Sequence, residues 1–380
     1  MADLNEPKPS LTLKQLLDEA SGRSLSQISA ESLPSAISEH LPFPFFAIVG
    51  QQEMKLALLL NIVNPAAGGV LLVGPRGTGK TSAVRSLQDL LPYEHRSLCY
   101  YGCTEQDMES GGMDAVCPQC AKKYGQGEPL TQPAKVRLVE LPLNAKLEDV
   151  LGGKEAQENA QGYKLRNGIL SQADQNILYI DEVNLLPREI IDAILDAAAQ
   201  GFYNIRRGFH SATHNSRFIL IGSMNPEEGV LRPQILDRFG LRVFVSGLSE
   251  PDERLKAYNH ATAFRKDPRA FINKLQPITQ AAQTEIVAAR ARAKNVKLPT
   301  ELAQDSIKAI RSLGIDSLRA EISWFESAKA YAACDDRLEV TREDLRVVAP
   351  MCLRLRRSQF MTDYFSHQNI EEQELNSVLH

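Results

Sequence analysis

The chain has 380 residues, 43% of them hydrophobic and 24% charged, with a net charge of −4, the make-up of a globular protein of two or three domains with ample core. No apolar run reaches the roughly 18 residues of a membrane span, and the slightly acidic balance gives no electrostatic case for a nucleic-acid protein. The N-terminus carries Asp3, Glu6, Asp18 and Glu19, unlike a signal or transit peptide, so the six cysteines are expected reduced in a cytosolic protein, without disulfides.

Residues 1 to about 40 are rich in Ser, Pro and Leu and read as an N-terminal extension with one short helix, Thr12 to Ala20. Phe43-Pro44-Phe45-Phe46-Ala47-Ile48-Val49-Gly50-Gln51 then leads into a helix from about Gln52 to Val63. Val70 to Val73 is an all-apolar run, the pattern of a strand buried on both faces. It runs into Gly74-Pro75-Arg76-Gly77-Thr78-Gly79-Lys80-Thr81, which is G-x-x-x-x-G-K-[ST] without a mismatch. Ala83, Val84, Leu87 and Leu91 follow at helical spacing. Strand, glycine-rich turn and helix are the context that this phosphate-binding motif requires. Gly74, Gly77, Thr78 and Gly79 let the backbone wrap close, so that N–H groups and the helix N-terminus face the phosphates. Lys80 is expected to neutralise β/γ oxygens, and the Thr81 hydroxyl to ligate Mg²⁺. A chance glycine-rich turn is the plain alternative, and strand, Lys and Thr together argue against it.

Residues 99 to about 130 differ in composition from their surroundings and read as an insertion. Cys99-x3-Cys103 is followed, after thirteen residues, by Cys117-Pro118-Gln119-Cys120. Four thiolates, two of them on a tight turn, suit tetrahedral zinc. The same ligands would hold an iron–sulfur cluster, and Cys117 with Cys120 would make a redox dithiol. Four unligated thiols in a loop is the plain reading. Cys334 and Cys352 fall in helical patterns and read as core residues.

Val136 to Leu143 reads as a strand with its exit, and Lys146 to Gly168 as a further excursion. Asn176-Ile177-Leu178-Tyr179-Ile180-Asp181-Glu182 is an apolar strand that ends in two carboxylates, at the edge where doubly wound sheets bind ligands. Asp181 is expected to hold Mg²⁺ through water, and Glu182 to orient and polarise the attacking water. Pro187 opens a helix with Ile190, Ile191, Ile194, Leu195 and Ala198 on one face, closed by Gly201. Phe202 to His214 fits a hairpin turning near Arg207-Gly208. The strand Arg217 to Ile221 ends in Gly222-Ser223-Met224-Asn225-Pro226, which sets Asn225 where it can touch γ-phosphate or water; a lone Asn-Pro would be a turn. Leu231 to Phe239 and a last strand, Leu241 to Val245, follow. Ser249-Glu250-Pro251-Asp252 is a helix start and a domain boundary. Beyond it only helices are apparent, at about 252–264, 279–295, 299–313, 317–334 and 341–357, before a polar tail. Arg319 sits in the first turn of the fourth, where a cation opposes the helix dipole. Arg238 follows Asp237 directly, and such neighbours can simply form a local surface ion pair.

Taken in this order, the motifs resemble the AAA+ ATPases. Phe43-Pro44-Phe45 with Ile48-Val49-Gly50-Gln51, Tyr179 through Leu186, Asn225-Pro226-Glu227-Glu228-Gly229, Leu231-Arg232-Pro233-Gln234 and Leu236-Asp237-Arg238-Phe239-Gly240 narrow the resemblance to the ATPase (I) subunits of magnesium chelatases. It covers about residues 41 to 357. It implies an α/β fold: an AAA+ P-loop doubly wound parallel sheet over 41–250 and a C-terminal α-helical lid domain over 251–357, with the tail at 358–380. It also implies roles. Lys80 and Thr81 belong to Walker A, Asp181 and Glu182 to Walker B, and Asn225 to sensor 1. Arg238 matches the arginine finger that reaches a neighbouring subunit's nucleotide, and Arg319 matches sensor 2. The Phe202–His214 hairpin and the Lys146–Gly168 excursion match the branch's insertions, and Ile48–Gln51 the element that packs on adenine. ATP and Mg²⁺ are the implied cofactors. Members form homo-oligomeric rings, typically hexamers, that work with a D subunit and a porphyrin-binding H subunit. The implied task is to drive insertion of Mg²⁺ into protoporphyrin IX for chlorophyll or bacteriochlorophyll biosynthesis. A cobalt-chelatase motor would share every motif named, a chaperone-like AAA+ remodeller is the alternative from another class, and a DNA helicase lacks its basic, aromatic stripe.

Overall fold

A computed structural model describes residues 12–15, 41–91, 93–156, 163–207, 210–229 and 231–356. The expected Thr12–Ala20 segment is helical at 13–15 and not at Thr12; its residues 16–20 lie outside the described residues, as do the tail and the hairpin turn at Gly208. In chain order the strands are β1 (Val70–Val73), β2 (Tyr93–Ser97), β3 (Thr131–Lys135), β4 (Leu138–Leu141), β5 (Gly152–Ala156), β6 (Tyr163–Asn167), β7 (Ile177–Ile180), β8 (Phe202–Arg207), β9 (His210–Asn215), β10 (Ile219–Met224) and β11 (Leu241–Phe244).

One all-parallel sheet has the order β11-β1-β10-β7-β4. Strands distant in sequence flank β1, the crossover pattern of a doubly wound fold. Alternation explains why its strands read as continuous apolar runs. Val70 and Leu72 of β1, with Ile177 and Tyr179 of β7, enter one core. Leu71, Val73, Leu178 and Ile180 enter the core on the opposite face. The remaining strands form three antiparallel pairs, β2–β3, β5–β6 and β8–β9. The cysteine insertion stands between the two strands of the β2–β3 ribbon, and β8–β9 is the expected hairpin.

The helices are α1 (Gln52–Val63), α2 (Lys80–Ser86), α3 (Glu105–Gly111), α4 (Pro118–Gly125), α5 (Leu147–Leu151), α6 (Ile169–Ala173), α7 (Arg188–Gln200), α8 (Pro233–Arg238), α9 (Pro251–Lys266), α10 (Pro268–Ala293), α11 (Thr300–Ser312), α12 (Leu318–Cys334) and α13 (Arg342–Leu353). Helix α7 keeps its predicted apolar face, with Ile190, Ile191, Ile194 and Leu195 buried, and ends where Gly201 turns left-handed at φ 75°. Buried residues of α10, α12 and α13 share one core with α1 and β1, so the lid is built onto the nucleotide domain.

The lid differs from expectation at α10, which starts eleven residues before the expected 279. Pro277 lies inside it, and a proline that removes an N–H and crowds the preceding turn reads as a helix boundary. Two local terms override it. The Asp267 side chain caps the helix by accepting from Ala270 N at 3.0 Å. Phe271 and Leu275 are buried against Ala47, with Phe43 and Phe264 packed around them. Among the described residues, no helix is long and apolar enough to cross a membrane.

Candidate active site

The turn after β1 is shaped by glycine. A Cβ on Gly74 would lie 2.0 Å from the Val245 carbonyl oxygen, so only glycine fits there. Gly77 and Gly79 take φ of 78° and 86°, a region that other residues rarely adopt, and Gly79 is the N-cap of α2. The loop thereby presents the first turn of α2 to a cleft of about 390 Å³. The Ile48–Gln51 element docks nearby, where the Gln51 side chain donates to Ser246 O at 2.6 Å, just past β11.

Lys80, Thr81, Asp181, Glu182 and Asn225 all line this cleft, with Gly77, Thr78 and Gly79. The Lys80 ammonium donates to the Gly74 and Pro75 carbonyls, each at 2.7 Å. Burial lowers its pKa, against the carboxylates of Asp181, Glu182 and Glu228, which raise it. Asn225 is 5% exposed, and its side chain accepts from Glu227 N at 3.3 Å.

Sequence reasoning missed what holds Asp181. Tyr179 OH donates to Asp181 Oδ1 at 2.9 Å and lies 3.1 Å from Ser223 Oγ and 3.2 Å from Thr81 Oγ1. Ser223 also donates to Asp181, and Thr81 Oγ1 stands 3.5 Å from Asp181 Oδ2. The glycine-rich turn and the Asp181 strand end thus meet through one buried phenol, whose pKa burial pushes up. The available signal was a hydroxyl in an otherwise aliphatic strand, since a buried tyrosine needs a polar partner.

Glu182 is left-handed, at φ 52° and ψ 55°, an uncommon conformation for a residue with a side chain. Its N–H donates to Ser223 Oγ at 3.3 Å. Its carboxylate pairs with Arg76 at 3.1 Å, and the same guanidinium reaches Glu228 at 2.5 Å. Arg76, read only as a variable motif position, therefore holds the expected catalytic carboxylate.

Arg238 and Arg319 stand elsewhere. They line a second cleft, of about 260 Å³, together with Asn61, Gly68, Asp237 and Ser323. Among the described residues, no member of Gly74–Thr81 lines it. Arg238 does not pair with Asp237, as a local ion pair would require, but with Asp196 of α7 at 2.6 Å. Asp237 instead accepts from Ser317 Oγ at 2.7 Å and Arg356 at 2.7 Å, and lies 3.5 Å from Arg319. That carboxylate beside the start of α12 offsets the misfit of a cation in the first turn. Arg242, fully buried in β11, lies 3.7 Å from the same carboxylate. Burial, then the neighbouring Arg356, lowers its pKa to about 9.

The sulfur atoms of Cys99, Cys103, Cys117 and Cys120 all lie within 4.8 Å of one another. Tetrahedral thiolates at a Zn–S distance of about 2.3 Å have S···S edges of about 3.8 Å, so small adjustments suffice. Cys99 Sγ accepts from Cys103 N at 3.3 Å and from Ser97 Oγ at 3.5 Å, and Cys103 Sγ accepts from Cys117 N at 3.4 Å. Such donors stabilise sulfur in its anionic, metal-binding form. Cys334 and Cys352 are buried core residues, as read.

The chain has clear relatives among known proteins. The AAA domain family matches residues 64–228, and the AAA lid domain family matches residues 304–376. A magnesium-chelatase subunit ChlI homolog of Methanocaldococcus jannaschii is 41% identical over 87% of this chain and 90% of its own length. Magnesium-chelatase subunit ChlI of a Nostoc species is 39% identical, covering 85% and 86%. A solved complex between subunits BchI and BchD of magnesium chelatase contains a chain 35% identical to this one, covering 83% of this chain and 96% of that chain at a TM-score of 0.45. The chain is an AAA ATPase and belongs to the ChlI family of magnesium-chelatase subunits.

Proposed function

We propose that this chain is the ATP-hydrolysing motor of a magnesium chelatase, whose cycle drives partner subunits to insert Mg²⁺ into protoporphyrin IX on the way to chlorophyll or bacteriochlorophyll. The observation that carries the reading is the convergence of Lys80, Thr81, Asp181, Glu182 and Asn225 on one cleft. Thr81 and Asp181 are the residues that hold the nucleotide's Mg²⁺, which supplies charge neutralisation at the β- and γ-phosphates. Lys80 exchanges its carbonyl partners for phosphate oxygens. Glu182, leaving Arg76, orients and polarises the attacking water, and Asn225 fixes the γ-phosphate side of the cleft.

Arg238 and Arg319 serve a neighbouring subunit's nucleotide in a homo-oligomeric ring, a hexamer, working with a chelatase D subunit and a porphyrin-binding H subunit in a reducing cytosol. Their shared cleft, distinct from the P-loop cleft, supports a common partner outside the chain's own site. The four cysteines hold one structural zinc. Met108, Val116 and Leu130 are the large apolar residues of that module's core, too few to offset the ordering of some thirty residues. Structural zinc supplies about 10–16 kcal/mol in small domains.

Reconstitution with candidate D and H subunits tests the function. Magnesium insertion that stops when this chain is omitted or carries Lys80→Ala supports it. Insertion of cobalt in place of magnesium assigns the motor to a cobalt chelatase.

A further inference from the structure

The loop between the first two cysteines is also the surface on which the β8–β9 hairpin rests. Tyr101 O accepts from Asn215 N at 3.0 Å. Gly102 O accepts from the Asn215 side chain and from Arg217, each at 2.9 Å. Glycine suits position 102: at φ 78° a side chain is strained, and a Cβ there would crowd Asn215 Cβ and Asp174 Oδ2 at 3.0 Å. Asp107, four residues past Cys103, pairs with Arg217 at 2.8 Å and accepts from Asn215 at 3.1 Å. His214, 1% exposed, is enclosed by Tyr100, Tyr101 and Tyr203, with ring centroids 4.7, 5.4 and 5.3 Å away.

These contacts sit at a junction. Asn215 ends β9, and Arg217 lies two residues before β10. The Arg217 N–H donates to Asp174 Oδ1 at 2.8 Å, and its carbonyl accepts from Gln175 N at 2.7 Å. Asp174 and Gln175 are the lead-in to β7. One loop of the cysteine module thus holds together the base of the hairpin and the entrances of two sheet strands. Its own shape depends on its two ends, Cys99 and Cys103, both of which belong to the thiol cluster.

We propose that metal at Cys99, Cys103, Cys117 and Cys120 locks the β8–β9 hairpin in place, by fixing the Tyr100–Gly102 loop that receives Asn215 and Arg217. The proposal rests on the zinc reading above and assigns that site a conformational task. Metal loading sets the hairpin, and metal loss frees it while the parallel sheet persists. The lock needs no contact between metal and nucleotide site, because the links from loop to hairpin are hydrogen bonds, an ion pair and ring contacts between residues 99–107 and 214–217.

Amide hydrogen exchange on the full chain, with zinc measured by elemental analysis, tests the lock. Purified protein is expected to hold one zinc per chain, and chelation is expected to speed exchange in β8 and β9 about tenfold or more, while β1 and β10 stay protected. Arg217→Gln keeps all four thiols, so it is expected to retain its zinc yet show the same faster exchange in the hairpin. Zinc present, with hairpin exchange unchanged in both chelated protein and Arg217→Gln, overturns the lock and leaves the zinc reading standing. Protein without bound zinc overturns the zinc reading, and the lock with it.

Discussion

Arg238 reaches past its neighbour Asp237 and pairs with Asp196 on α7 at 2.6 Å. Asp196 is 55% exposed at its side chain, so the pair itself contributes at most about 1 kcal/mol. That weak tie orients Arg238 at low cost and releases it readily to a stronger anion. Asp237 faces the other way, joining α8 to the lid through Ser317, Arg319 and Arg356.

Asp237 is the carboxylate nearest two arginines, Arg242 and Arg356, whose side chains are fully buried. Removing one partner of a buried charge pair leaves the other uncompensated, a loss of about 3–5 kcal/mol. Asp237→Ala is therefore expected to lower the unfolding free energy, read from denaturant titration, by an amount in that range. An unfolding free energy within about 0.5 kcal/mol of wild type, the effect of an ordinary surface substitution, would show that the arginines find other partners.

Tyr179→Phe removes the hydroxyl shared by Thr81, Asp181 and Ser223 but keeps the ring in the core. Loss of a buried donor with its partners left in place costs about 1–3 kcal/mol. MgATP binding is expected to weaken roughly 5- to 150-fold by that figure, and metal-free nucleotide binding much less. Calorimetry with and without Mg²⁺ measures both. Equal weakening in the two titrations would place the loss in the fold and not in the metal-holding pair.

Glu182→Gln keeps the side chain's size and removes the base. Turnover is expected to fall roughly 10²–10⁴-fold, the usual reach of a general base, while MgATP still binds. Near-normal turnover removes Glu182 from the mechanism. Arg76→Ala gives the companion result: a carboxylate without its Arg76 partner, seen as a change in kcat larger than that in KM.

The P-loop and the Asp181-Glu182 strand end were legible because each is a local motif whose meaning lies in its own residues. The cysteine cluster was legible for the same reason: two short spacings and a Pro-containing turn place four sulfurs together. Tyr179–Ser223, Arg76–Glu182 and Arg238–Asp196 join residues 42 to 106 positions apart. Such pairs follow from strand order, which no local pattern states. The extra helical turns at 268–278 were hidden by Pro277, although Asp267-Pro268 is itself a helix start.

The central claim is a ring in which Arg238 completes the site of the next subunit, and mixing experiments test it most directly. Arg238→Ala alone is expected to bind ATP and to lose about 10³–10⁵ in hydrolysis rate, the contribution of arginine fingers in other nucleotide hydrolases. Lys80→Ala alone keeps Arg238 but is expected to lack a working P-loop. The ATPase rate of the two proteins mixed, with Lys80→Ala in excess, is the deciding measurement. Recovery of activity in mixed rings is the predicted result, because intact P-loops then meet intact fingers across the interface. Rings that demonstrably co-assemble and recover no activity would contradict a finger acting between subunits.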